Sequence, residues 1–219
     1  MPMPMHVRGT LDQVILNDDN LYEGNLVPYF KISFFKAKNL NNPFHNFRHM
    51  MHVTWLCHEA CIYYKSVLSK REMRNLLIAA MFHDFDHKGI LGPDINNIEI
   101  AVAGLEKHIL PEDLPYLKII SDIIRSTEYP YKIDSDSYHL CVQILRDADL
   151  SQALNVSWLQ QVIFGLSAEW NMTPYEVLKI QTQFHNGLNF CTSWAKDTWP
   201  KEEIDKKIDE VNSLLRILE

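Results

Sequence analysis

Hydrophobic residues recur every three to four positions through most of this chain, which is the spacing expected of amphipathic helices. The two clearest runs cover residues 48–68 and 70–85. Similar patterns predict further helices over residues 96–108, from 112 to just before Pro130, and over 137–150, 156–169, 173–194 and 200–218. No run keeps the strict alternation of a half-buried strand, so the sequence predicts an all-α protein.

The length and order of these runs predict the domain organisation. A chain of 219 residues can bury one substantial core but is short for two. We therefore expect one folded domain over residues 26–219, preceded by an N-terminal segment, residues 1–25, of uncertain order. Thr173, followed by Pro174 and then by Glu176, is a typical start of a helix.

Charge and cysteine content narrow the classes of function. The formal net charge of −7 makes a nucleic-acid polymer an unexpected partner, because phosphate backbones attract basic surfaces. A small phosphorylated ligand is compatible with this charge, since a bound cation can invert the local field. The four cysteines lack metal-finger spacing and are predicted to be reduced. No signal peptide or membrane span is recognisable, so we expect a cytoplasmic protein without a membrane partner.

Four short segments carry the residues suited to chemistry. They are His45 to His49, His83 to Gly89, Asp147 to Ser151 and Gln181 to Phe184. The pair His83 and Asp84 follows an apolar run, where buried charges are costly unless something compensates them. A divalent cation does so, because imidazole supplies a nitrogen ligand and a carboxylate can bridge two ions.

Two further ligands are expected for such a cation. His49 at one helix start and Asp149 at the end of another apolar run are the natural donors. Two nitrogens and two oxygens suit zinc, manganese, iron or magnesium better than a thiolate site would. Each residue alone has an ordinary structural interpretation, such as a helix-end acid or an exposed histidine. Their joint order along one small domain favours the metal interpretation.

The order and flanking residues of these segments resemble the HD superfamily of metal-dependent phosphohydrolases. Among its branches, the chain is most similar to the catalytic core of class I cyclic-nucleotide phosphodiesterases. The matching motifs are His-Asn-x-x-His at 45–49, His-Asp-x-Asp-His-x-Gly at 83–89, Asn-x-Glu-x-Ala at 97–101, Thr-Glu at 127–128, Ala-Asp-Leu-Ser at 148–151 and Gln-x-x-Phe at 181–184. The resemblance implies a single HD-type multi-helix domain.

The resemblance also implies roles for individual residues. His49, His83, Asp84 and Asp149 would bind a tight metal, zinc or iron or manganese, and Asp84 would bridge to a second, magnesium or manganese. Glu99 and Thr127 would hold waters of the second ion. His45 would be the general acid, with Glu99 a possible acidic partner, and His87 would lie near the phosphate. Gln181 would hydrogen-bond the base, and Phe184 would stack on it.

Three positions depart from the family pattern. Phe44 replaces the usual Tyr before the first motif, and Lys88 replaces the usual Pro of the second. Gln152 stands where a base-side Asn is usual, and we expect it in the substrate pocket. The metal ligands survive these changes, so the departures bear on the choice of nucleotide.

The resulting hypothesis is a metal-dependent phosphodiester hydrolase that cleaves a cyclic nucleotide or a similar small nucleotide. The attacking group would be a hydroxide that bridges the two metals, and His45 would protonate the leaving oxygen. Three alternatives stay open. A nucleotide phosphomonoesterase would use Arg48, Lys88 or Arg125 for the extra charge, a di-iron oxygenase would add His87 and His108 as ligands, and a non-catalytic HD module would only bind.

Overall fold

A computed structural model describes residues 10–130 and 139–219. The helices are α1 (Leu11–Leu16), α2 (Val27–Lys36), α3 (Phe47–Tyr63), α4 (Lys70–Phe82), α5 (Ile95–His108), α6 (Leu117–Arg125), α7 (Leu140–Leu150), α8 (Gly165–Trp170), α9 (Pro174–Gly187), α10 (Ser193–Thr198) and α11 (Lys201–Leu218). Single turns of 3-10 helix at Leu114–Tyr116 and Ser151–Leu154, and a π-helical segment at Leu159–Phe164, complete the set. This part of the chain holds no strand, and the predicted all-α fold is confirmed.

Helix α4 is the centre of the main core. Every residue from Met73 to Phe82 is buried, so the helix packs on all sides rather than along one stripe. It contacts α2, α3, α5, α6 and α7. Full burial of each large apolar side chain contributes about 1.5–3 kcal/mol. The chain leaves α4 at His83, and this rigid helix therefore fixes where the following carboxylate, Asp84, lies.

A smaller apolar cluster forms the other half of the domain. Trp158, Val162, Leu166, Val177 and Val211 are buried there, contributed by the π-helical segment, α8, α9 and α11. Phe44 packs against this cluster from the segment that precedes α3. The two halves thus meet beside the first of the sequence motifs.

The helix predicted from residue 112 to just before Pro130 is observed as the 3-10 turn Leu114–Tyr116 followed by α6, which ends at Arg125. Two further predicted helices are each divided. The run over 173–194 is not one helix, because α9 ends at Gly187 and the backbone of Leu188 is extended. Residues 188–192 then link α9 to the separate helix α10, which begins at Ser193. The run over 156–169 is split into the π-helical segment and α8. Hydrophobic periodicity does not register either break, since both flanking segments bury apolar residues.

The start of α9 follows the sequence signal. The Thr173 hydroxyl accepts a hydrogen bond from the Glu176 amide, and the Glu176 carboxylate accepts one from the Thr173 amide. These reciprocal bonds are the capping box that the Thr-Pro-x-Glu pattern predicts. All four cysteines are free, as expected.

Part of the N-terminal region, residues 1–9, lies outside the described residues, as do residues 131–138. Within residues 10–25, α1 forms a short helix, and Ile15 and Tyr22 belong to the main core. The predicted domain boundary at residue 26 stays a prediction. In the ranges 10–130 and 139–219, no helix combines the length and the apolar character that crossing a bilayer requires.

Candidate active site

The four predicted metal ligands lie close together, each at or next to the end of a helix. His49 lies in the first turn of α3, where the Asn46 side chain caps the helix by accepting a hydrogen bond from the His49 amide at 3.1 Å. His83 ends α4, Asp84 follows it, and Asp149 lies in the last turn of α7. Three separate helices therefore position the set.

The ligand atoms of these residues converge. The Nε2 atoms of His49 and His83 are 3.2 Å apart. Oδ1 of Asp149 lies 3.1 Å from the first of these nitrogens and 3.6 Å from the second. Oδ2 of Asp84 lies 3.3 Å from both nitrogens. Two imidazoles and two carboxylates thus point at a common centre in a largely buried site.

Hydrogen bonds on the far side of each imidazole fix this orientation. Nδ1 of His49 donates to Oε1 of Gln152, and Nδ1 of His83 donates to the Ala80 carbonyl at 2.8 Å. A ring that donates from Nδ1 keeps the Nε2 lone pair for a metal. Oδ2 of Asp84 is buried and has no hydrogen-bond donor. The donor set and this unsatisfied oxygen fit a divalent cation of the zinc, manganese or iron kind.

The raised pKa values of His49 and His83 also fit a cation site. Burial alone would lower the pKa of His49, but Asp149 and Asp84 outweigh it and raise the pKa to about 9. The pKa of His83 is likewise raised, by the same two carboxylates against burial. Protons on the imidazoles therefore balance the carboxylates when no cation does so. A cation that binds here displaces those protons, which is the usual competition at a protein metal site.

Glu169 is the buried partner of His45. Its Oε2 lies 2.6 Å from Nδ1 of His45, and its Oε1 accepts the amide protons of Phe44 and His45 at 2.8 Å each. The Glu169 side chain is 0% exposed. Burial raises its pKa, but the bonds from His45 and the two amides outweigh this and keep it low. The expectation that Glu99 would hold His45 is wrong, and sequence reasoning missed Glu169.

His87 packs directly on His45. The two rings are stacked with centroids 3.9 Å apart. Nδ1 of His87 accepts the Gly89 amide proton at 3.0 Å, and burial, together with the neighbouring His45, lowers the pKa of His87 to about 4. His87 is therefore a neutral imidazole near pH 7. His45, His87 and Glu169 are close enough for a cation, but both oxygens of Glu169 are already used.

These residues open onto one large cavity. Its volume is about 680 Å³, enough for a nucleotide-sized ligand. His45, Asp84, His87 and Asp149 line one end. The rest of the wall is mainly apolar and aromatic, with Phe44, Val162, Leu166, Trp170, Ile180 and Phe184 among its side chains.

The predicted base-binding residues lie at this cavity too. Gln181 is 3% exposed, lines the cavity, and its Oε1 has no hydrogen-bond partner. Phe184 lines the cavity one helical turn later and packs against Tyr129 with ring centroids 6.1 Å apart. Gln152 also reaches the cavity wall, but its amide is engaged by His49 and by Gln161, to which it donates at 2.6 Å.

Of the two residues predicted to hold waters of a second ion, one lines the cavity and the other lies on the surface. Thr127 lines the cavity, with its hydroxyl donating to the Ile124 carbonyl at 2.7 Å. Glu99 is not among the residues that line it. Its two carboxylate oxygens accept from Arg125 at 2.8 and 3.0 Å on an exposed surface. The placement of Glu99 at the second ion is therefore corrected.

Asp94, which the sequence analysis did not select, is the additional carboxylate at the cavity. Its Oδ2 accepts the Tyr129 amide proton at 2.8 Å. Burial, and then the charges of Asp149 and Asp84, raise the pKa of Asp94. A carboxylate held against this repulsion is the kind of group that gains most from a nearby cation.

The cavity wall contains no Lys or Arg among residues 10–130 and 139–219. Arg48 and Lys88 are exposed, and Arg125 is bound to Glu99. His108 packs near Phe85 and does not reach the cavity. These residues therefore do not supply the extra cation of a phosphomonoesterase. Of the two histidines that a di-iron oxygenase would add, His87 lines the cavity and His108 does not.

Comparisons with known proteins agree with the motif pattern. Residues 44–92 match the sequence model of the family described as 3'5'-cyclic nucleotide phosphodiesterase. A solved structure of the phosphodiesterase domain of rhodopsin phosphodiesterase from Salpingoeca rosetta is similar in fold, with a TM-score of 0.61 and 17% sequence identity. The similarity covers 94% of this chain and 85% of that domain. No curated protein matches at a significant level. The predicted resemblance to a class I phosphodiesterase catalytic core is confirmed.

Proposed function

We propose that this protein is a metal-dependent phosphodiester hydrolase that cleaves a cyclic nucleotide or a similarly small nucleotide. The observation that carries the proposal is the convergence of His49, His83, Asp84 and Asp149 beside a nucleotide-sized cavity, which two of them, Asp84 and Asp149, line together with His45. The match of residues 44–92 to the phosphodiesterase family supports it.

The four converging residues would hold the tight ion, and Asp84, Asp94 and Thr127, which line the cavity, would serve a second one. Divalent ions here would neutralise the phosphate oxygens and lower the pKa of bound water. Gln152 and the Ala80 carbonyl hold the two imidazoles so that their Nε2 atoms would be available to the tight ion. His87, neutral and hydrogen-bonded through Nδ1, leaves its other ring nitrogen for the phosphate or a water.

His45 is the proton donor in this proposal. Its Nδ1 is bound to Glu169, which leaves Nε2 as the nitrogen available to a substrate. The buried carboxylate holds the His45 ring in one orientation. His45 would therefore give a proton to the leaving alkoxide oxygen when the phosphorus–oxygen bond breaks, and Glu169 would keep the ring ready to regain it.

The charge of the cavity favours a diester over a monoester. A phosphodiester carries one negative charge near neutral pH, whereas a monoester carries close to two. The described wall supplies no Lys or Arg for the second charge. The metal end and His45 match the demand of a diester, so we assign the phosphodiesterase rather than the nucleotidase activity.

The part of the cavity wall formed by Gln181 and Phe184 is proposed to bind the base. The unpartnered Oε1 of Gln181 would accept a hydrogen bond from a base, and Phe184 would offer a face for stacking. A buried acceptor without a donor costs free energy, so a base that satisfies it is favoured over one that does not.

A comparison of two substrates tests this division of the cavity. A cyclic nucleotide and a base-free aryl phosphodiester should both need the metal end, but only the first should need Gln181. Gln181→Leu is expected to raise KM for the cyclic nucleotide by about tenfold and to leave that for the aryl diester unchanged. An equal loss for both substrates would remove Gln181 from base binding.

A further inference from the structure

His185 is buried between the proposed base-binding helix and the segment that follows the last metal ligand. It lies on α9, one turn after Gln181, and is 1% exposed. Its ring meets Trp158 edge to face, with centroids 6.1 Å apart, and Trp158 is itself buried. His185 takes no part in the proposed catalytic steps.

Both ring nitrogens of His185 face carbonyl oxygens. Nδ1 lies 2.8 Å from the carbonyl of Gln181 in its own helix. Nε2 lies 3.2 Å from the carbonyl of Ala153, in the 3-10 turn Ser151–Leu154. Carbonyl oxygens only accept, so each contact is favourable only when that nitrogen carries a proton.

The second contact joins two working parts of the site. Ala153 directly follows Gln152, which holds His49, and its own turn continues from Asp149. On the other side, His185 shares α9 with Gln181 and Phe184, which line the cavity. A hydrogen bond from Nε2 therefore spans from the metal end to the base end.

From this geometry we propose that His185 is a positioning residue. Its Nε2–H bond to the Ala153 carbonyl sets the distance of Gln181 and Phe184 from the metal-ligand segment, and thereby the affinity for the nucleotide base. The contact with the Gln181 carbonyl lies within α9 and concerns only that helix. This inference rests on the proposed function, since it concerns the base end of the same cavity.

The charged groups facing the ring act in opposite directions. Burial lowers the pKa of His185 and outweighs the two carbonyls and Glu210 of α11, which raise it, while Lys207 lowers it further. The ring is therefore neutral near pH 7 and carries one proton, which it can donate to only one of the two carbonyls. The proton on Nε2 is the feature on which the proposal depends.

Two substitutions separate the two contacts. The amide nitrogen of Asn mimics Nδ1, so His185→Asn keeps a donor for Gln181 and loses the bridge to Ala153. The amide nitrogen of Gln mimics Nε2, so His185→Gln keeps the bridge to Ala153 and places no donor at the Gln181 carbonyl. Both variants replace an imidazole by an amide, so the change in side-chain polarity is the same in the two.

The experiment measures kcat and KM of both variants for a cyclic nucleotide and for a base-free aryl phosphodiester. His185→Asn is expected to raise KM for the cyclic nucleotide about tenfold, with kcat and the aryl diester KM within about twofold of the parent. His185→Gln should stay within about threefold of the parent in all four constants. Equal effects of the two variants, or an equal rise in KM for the aryl diester, would overturn the proposal.

Nitrogen-15 NMR of the unmodified protein reports which ring nitrogen of His185 carries a proton. This measurement does not depend on the folding of a variant or on catalytic turnover. A proton on Nε2 of His185 in the zinc-loaded protein is the expected result. A ring protonated only on Nδ1 would overturn the proposal even if the enzyme proves active. If the protein cleaves no diester but Nε2 carries the proton, the proposed function fails, and the bridge between α9 and the metal-ligand segment stands.

Discussion

The carboxylate of Glu169 lies 2.6 Å from Nδ1 of His45, although 124 residues separate the two in sequence. The same carboxylate accepts the backbone amides of Phe44 and His45, so it fixes both the ring and the chain that carries it. Because it is fully buried and ionised, it gives the cavity a fixed negative charge directly behind the proposed acid.

Glu169→Gln is expected to lower kcat for a diester about 10- to 100-fold, since an amide replaces the carboxylate that orients the His45 ring and accepts two backbone amides. The metal content should not change, because Glu169 touches none of the four ligands. Turnover with zinc analysis of the same sample checks this. A variant with full kcat, or one that loses zinc along with activity, would contradict the role given to Glu169.

The bond from His49 to Gln152 makes a prediction about metal affinity. Gln152→Leu removes the acceptor that fixes the His49 ring, and we expect zinc affinity to fall about 10- to 100-fold. Gln161→Leu is the matched control, because it removes only the outer bond to the Gln152 amide. Competition with a chelator measures both. Equal losses would show that Gln152 acts through general packing instead.

The raised pKa of His49 predicts how the metal-free protein responds to pH. A histidine whose folded-state pKa is about 9, against about 6.5 when unfolded, stabilises the fold fully below pH 6.5. That contribution, on the order of 3 kcal/mol, is lost as the pH rises toward 9. Urea unfolding of the metal-free protein should therefore show falling stability over this range.

Zinc should remove this pH dependence. A bound cation takes the place of the imidazole protons, so the zinc-loaded protein should change little in stability over the same pH range. Zinc addition near pH 7.5 should release protons, which calorimetry in buffers of different ionisation enthalpy detects. Binding without proton release would contradict the interpretation that His49 and His83 are protonated when no cation is bound.

Substitutions of Asp94 and Glu99 form a matched test of the proposed second ion. Asp94 lines the cavity, whereas Glu99 is bound to Arg125 on the surface. Asp94→Asn is expected to raise the magnesium concentration for half-maximal activity about tenfold, and Glu99→Gln to leave it within about twofold. Magnesium titrations of the zinc-loaded variants measure this. The reverse order would restore the role first predicted for Glu99.

The metal-ligand candidates could be predicted from the sequence because each lies at one of the two ends of an apolar helical run. Periodicity locates such ends, and His or Asp placed there needs compensation for its buried charge. Glu169 gave no such signal. It lies within a mostly apolar run, and only the folded chain brings it to His45.

The error at Glu99 has a geometric cause. Successive helical residues turn by about 100°, so when Asn97 and Ile98 face the cavity, Glu99 points elsewhere. Asp94 reaches the cavity from the turn before α5, where no periodic pattern applies. Gln152 was predicted at the substrate pocket, but the pattern could not reveal that its amide would be engaged by His49.

Hydrolysis assays with zinc- and magnesium-reconstituted protein test whether the protein cleaves a small phosphodiester in a metal-dependent reaction. The substrates are cyclic AMP, cyclic GMP, the 5′-nucleotides and an aryl phosphodiester, with Asp84→Ala as the control that loses the bridging carboxylate. We expect cleavage of a cyclic nucleotide to its 5′-monophosphate, abolished by a chelator and by Asp84→Ala. Phosphate release from 5′-nucleotides alone, or no turnover by metal-loaded protein, would contradict the account.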